Sequence, residues 1–110
     1  MAYDEDLADR IRAVVGAEPN LTEKRMFGGL AFLVGGHMAV AAGSRGRLMV
    51  RADPAESDEL VGSGEADLVV MRDRPIRGWL DVDPARLRTS EQLTRWVELG
   101  VRYARSLPPK

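Results

Sequence analysis

The sequence contains no cysteine and a single histidine, His37, in 110 residues. The first absence excludes disulfide frameworks, thiol nucleophiles and cysteine-ligated zinc or iron–sulfur centres. A lone imidazole makes a metal site only if carboxylates converge on it, and beside Gly35-Gly36 it reads as a turn or strand-start residue. Aromatics are also scarce, two each of Trp, Tyr and Phe, which leaves little with which to stack on nucleic-acid bases. Phe27, Phe32 and Trp96 are expected in the core. Long hydrophobic runs are missing as well. The longest nearly uncharged stretch, Met26 to Ser44, is interrupted by five glycines and His37, the pattern of strands broken by turns and not of a bilayer-spanning helix. A net charge of −1 confines any nucleic-acid role to a local patch.

What is present is a globular composition, 45% hydrophobic and 30% charged, in a length that suits one domain over residues 1–110. Such a chain buries roughly 60–70% of its unfolded surface, enough to fold without staples. The acidic start Tyr3-Asp-Glu-Asp6 lacks the basic and apolar regions of a signal peptide, so a cytoplasmic protein without membrane contact is expected.

Leu7, Ile11, Val14 and Val15 form a stripe of helical period, and Gly16 and Pro19 end it. Between Thr22 and Arg51 the period changes. Leu30–Val34, Met38–Ala42 and Leu48–Arg51 are short apolar runs separated by glycine-rich turns, which predicts a three-stranded antiparallel meander. Asp53-Pro54-Ala-Glu56 marks the start of a second, acidic helix to about Val61. Leu68–Met71 and Trp79–Val82 read as two further strands, joined by an arginine-rich turn from Arg72 to Gly78. A last helix begins at Thr89 or Ser90, with Leu93, Trp96, Val97, Gly100, Ala104 and Leu107 on one face. The expected fold is therefore α+β, a two-layer α-β3-α-β2-α arrangement over a five-stranded antiparallel sheet.

No catalytic motif emerges. The serines at 44, 57, 63, 90 and 106 form no nucleophile elbow, and Gly62-Ser-Gly64 lacks the remainder of a phosphate loop. Asp58-Glu59 and Asp81/Asp83 are expected to be solvated. The expectation is a non-enzymatic domain with no catalytic, cofactor-binding or metal site. Charge is uneven: segment 52–67 has six acidic and no basic residues, whereas 22–51 has five basic and one acidic. Separate acidic and basic faces suit a protein partner or self-association. The candidate interaction surface is Arg72, Arg74, Arg77 and Trp79, with Trp79 placed by strand alternation on the face away from Leu80 and Val82. The alternative use of that arginine turn, together with Arg45 and Arg47, is binding of a small anionic ligand or nucleic acid.

The run Lys24-Arg25-Met26-Phe27-Gly28-Gly29-Leu30-Ala31-Phe32-Leu33, followed by Gly35-Gly36-His37-Met38 and Leu48-Met-Val-Arg51, resembles the signature of the TfoX/Sxy N-terminal domain family. The resemblance extends from Tyr3 to Leu107, with Arg25, Met26, Phe27, Gly28, Gly29 and Met38 its specific part. It implies the same α-β3-α-β2-α order, similar to secretion-chaperone-like domains. It also implies a part in regulating bacterial natural competence alongside a cyclic-AMP receptor protein, in full-length members that carry a second, C-terminal domain. No catalytic residue comes with it, and the motif residues are expected to be structural: an apolar anchor, then a tight or bulged backbone at Gly28-Gly29.

Overall fold

A computed structural model describes residues 3–26 and 28–108. Helix α1 (Glu5–Val15) starts at Asp4, whose side chain accepts the Leu7 N–H at 2.9 Å. Leu7, Ala8, Ile11 and Val15 are buried along its inner face. Strands β1 (Leu21–Met26), β2 (Gly29–Val34), β3 (His37–Ala42) and β4 (Leu48–Arg51) follow as a meander. Helix α2 (Pro54–Gly62) is capped by Asp53, then come β5 (Asp67–Met71), β6 (Arg74–Val82) and helix α3 (Ser90–Ser106). Thr89 and Gln92 form a reciprocal capping box at the start of α3.

The sheet has six antiparallel strands in the order β1-β2-β3-β4-β6-β5. The expected α+β class holds, but the expected five strands become six. The extra strand, β1, has the sequence Leu-Thr-Glu-Lys-Arg-Met, with its four central residues exposed. As an edge strand it needs only Leu21 and Met26 as apolar contacts, so it lacks the alternation by which a half-buried strand is recognised.

The arginine turn is also shorter than expected. Arg72 and Asp73 alone make the connection, at φ 51° and 64°, and Met71 pairs directly with Arg74. These are the backbone signs of a type I′ hairpin, more often built with Asn-Gly. Arg74 to Gly78 therefore belong to β6. Pro75 is tolerated there because a proline opposite Val70 is compatible with a ladder position that donates no hydrogen bond.

The helices cover one face of the sheet. Leu7 and Ile11 of α1 and Leu93, Trp96, Val97 and Ala104 of α3 share a core with Phe32, Val40, Leu48, Val50, Leu80 and Val82. Helix α3 lies close to β3 because it presents Gly100 to it; a methyl group there would collide with the Ala39 carbonyl.

Candidate interaction surface

The opposite face of the sheet carries a second apolar cluster built from strand residues alone. Ala31, Met38 and Ala41 are buried in it, and Met26, Leu33, Met49 and Trp79 pack around them half-buried. Strand alternation explains the membership: Met49 lies between the inward Leu48 and Val50, and Trp79 precedes the inward Leu80. An antiparallel sheet covered on one side ordinarily presents polar side chains on the other. Here methionine, leucine and tryptophan occupy the middle.

Arg51 sits opposite Trp79 in the β4–β6 register. Its guanidinium carbon lies 5.3 Å from the Trp79 ring centre and 5.7 Å from that of Tyr103, within cation–π range of both. At the other end of this strand pair Arg47, just before β4, donates to Asp81 of β6 at 2.8 Å and reaches Asp83, just after β6, at 3.3 Å. The hydrogen bond from Arg47 to Asp81 is the main cause that holds its proton more tightly than usual. Lys24 is exposed on β1 and Asp67 on β5, at the two edges of the sheet.

The four residues singled out from the sequence do not form one group. Trp79 belongs to the strand cluster, and the arginine beside it is Arg51. Arg77 pairs with Asp58 of α2 at 2.7 Å, and this hydrogen bond lowers the Asp58 pKa. Arg72 and Arg74 are exposed at the hairpin end. The pairing of Arg51 with Trp79 joins strands 28 positions apart in sequence, so no local pattern announces it; the one available signal is that Met49 and Arg51 share a parity opposite to Leu48 and Val50.

The motif residues divide between the same face and the backbone. Met26 and Met38 enter the strand cluster, while Arg25 is exposed on the edge strand. Gly28 has φ +72°, and a side chain on Gly29 would collide with the Ala42 carbonyl. Gly29 is thus a close-approach glycine and Gly28 a positive-φ one. Phe27 lies outside the described residues.

His37 sits at the start of β3, its Nε2 2.6 Å from the Pro108 carbonyl, which fixes that nitrogen as the donor. Ser57 bonds Pro54 and Gly78, and Ser63 bonds Leu60 and Glu65. Neither serine is hydrogen-bonded to the histidine. Among the described residues no group of three or more His, Asp or Glu converges as a metal site, and no helix is long and apolar enough to cross a membrane. An open groove of about 600 Å³ runs between α2 and α3, lined by Leu60, Trp96 and Leu99 with Glu56, Arg95 and Arg102. Both of its arginines are engaged, Arg102 with Glu56 of the groove and Arg95 with Glu65 beside it, while Glu91 and Glu98 add negative charge to the lining.

Residues 14–104 match the family of the TfoX N-terminal domain. The chain belongs to that family. No curated protein matches it. In this TfoX N-terminal domain the matched region holds the whole sheet and all but the last two residues of α3, so the methionine–tryptophan face is part of the domain proper.

Proposed function

We propose that this TfoX N-terminal domain is a non-enzymatic interaction module that docks a protein partner on the helix-free face of its sheet, in the cytoplasm and in the service of transcriptional control such as the regulation of competence. One observation carries the reading: the face away from the helices is apolar at its centre, with Met26, Leu33, Met49 and Trp79 around three buried residues. Methionine-rich surfaces adapt to a partner's shape, and a tryptophan beside an arginine is the composition that dominates binding energy at interfaces. Arg51 and Lys24 give the face cationic groups, so the fitting partner offers an apolar ridge flanked by carboxylates.

The test is a photo-crosslinking residue placed at Met49 in the native bacterium, with a second placed at the exposed Arg88 as reference. A discrete protein adduct from position 49, absent from position 88 and lost when Trp79→Glu is combined with the crosslinker at 49, is expected. Adducts of equal yield from both positions would refute it. The second reading, an anionic ligand or nucleic acid at the hairpin, rests on Arg72 and Arg74 being exposed there. It predicts binding that falls steeply with salt and is lost in Arg72→Ala/Arg74→Ala.

A further inference from the structure

We infer that β5 is a self-pairing edge, through which two copies of this domain join their sheets antiparallel, with Val69 of one opposite Val69 of the other. The two edges of the sheet are unlike. β1 exposes Thr22, Glu23, Lys24 and Arg25, and charged side chains in sequence are the usual protection of an edge against strand addition. β5 reads Asp-Leu-Val-Val-Met, with its single charge at the start, and Val70 is 63% exposed, the large apolar side chain that stands out in solvent among the described residues.

The hairpin fixes which backbone groups face outward. A two-residue turn is closed by a hydrogen-bonded pair, here Met71 and Arg74. Alternation then aims the N–H and C=O of Met71 and Val69 at β6 and leaves those of Val70 and Leu68 facing out. The break in register after Leu68 does not disturb this phase. β5 advances by one residue from Leu68 to Val69 while β6 runs from Leu80 back to Ile76, so the surplus residues are in β6.

Two copies can satisfy these outward groups reciprocally in one register. Leu68 pairs with Val70 of the second copy and Val70 with Leu68, giving hydrogen-bonded pairs on both sides of a central, non-hydrogen-bonded Val69 pair. Leu68 and Val70 point to the same face, and Leu68 already packs at the margin of the main core. The exposed Val70 therefore lands beside the Leu68 of its mate and extends that core across the junction. Charge agrees with this register. The exposed Arg72 comes opposite Ala66, between Glu65 and Asp67. A single pair of five-residue strands is a small interface, so the association is weak and concentration-dependent.

The test uses the absence of cysteine from the chain. In Val69→Cys, directly opposed non-hydrogen-bonded positions are spaced for a disulfide. Mild oxidation is expected to give a covalent dimer, whereas Thr22→Cys on β1 stays monomeric. Sedimentation of the unmodified chain from about 10 µM to about 1 mM should show a monomer–dimer equilibrium. Val70→Lys, a change at an exposed position that leaves the fold intact by circular dichroism, should weaken it at least tenfold. A chain that stays monomeric throughout, or dimers that persist in Val70→Lys, or crosslinking from Thr22→Cys as efficient as from Val69→Cys, would overturn the proposal. Because Met49 is not in this junction, failure here leaves the partner-docking face untouched.

Discussion

Ser57 is the fully buried polar side chain among the described residues, and it supports the most irregular point of the sheet. Its hydroxyl donates to the Pro54 carbonyl at 2.9 Å and accepts the Gly78 N–H at 3.1 Å, while the Gly78 carbonyl accepts from Ala52 at 2.9 Å. Gly78 is at φ +89°, where β6 carries its surplus residues. Ser57→Ala leaves a buried N–H without its acceptor, and a loss of about 1–3 kcal/mol is expected; urea denaturation of the two proteins measures it. Gly100 makes a sharper case because two effects oppose each other. Alanine is favoured over glycine within a helix by up to about 1 kcal/mol. Its methyl would, however, meet the Ala39 carbonyl and Val40, and forcing atoms into a packed interior costs about 1–3 kcal/mol. Backbone cannot swing aside as a flexible side chain can, so the collision prevails and Gly100→Ala is expected to destabilise. A rise in the denaturation midpoint would show that α3 lifts from the sheet at little cost.

At the scale of elements, the helices were legible because their ends carry chemistry. Asp4, Asp53 and Thr89 cap the three of them through their own side chains, and each precedes an apolar or acidic turn visible in sequence. Thr89→Ala removes the acceptor for the Gln92 N–H, and with it the reciprocal bond loses its purpose. The expected cost is about 1 kcal/mol, read as a lowered thermal midpoint, with Thr89→Asp restoring most of it. Strand β1 was not legible, since an edge strand held by backbone pairing to β2 leaves no periodic apolar trace. The Arg72-Asp73 turn was missed for a related reason: neither residue is the glycine or asparagine that ordinarily reveals a left-handed pair. The interaction face lay between these extremes. Alternation placed Trp79 correctly relative to Leu80, but Arg51, Met49 and Met38 reach it through pairings between distant strands, and no single segment encodes those.

At the scale of the whole molecule, charged side chains tie segments that the sheet leaves apart. Arg105 near the end of α3 holds Glu18 in the loop after α1, Arg12 of α1 holds Glu23 of β1 at 2.8 Å, and Arg95 of α3 holds Glu65 ahead of β5 at 3.0 Å. Hydrogen bonds from the arginines lower the pKa of Glu18 and of Glu23; for Glu65 the Ser63 hydroxyl contributes most and Arg95 next. A carboxylate whose pKa is lower folded than unfolded contributes stability that is fully present above its unfolded value and is lost as the pH falls through the folded one. For these glutamates the ordinary value is 4.5. Stability from this source is therefore flat from neutral pH to about 5 and declines below 4.5. Arg105→Ala separates the Glu18 contribution. The variant should be less stable than the parent at pH 7, and the gap should narrow as the pH falls below 4.5 and close once it has passed through the lowered, folded value of Glu18, because protonated Glu18 no longer distinguishes the two. Thermal midpoints measured across that range give the answer directly. A gap that stays constant with pH would mean that Arg105 acts through the packing of its aliphatic stem against the α1–β1 loop and not through the charge of Glu18.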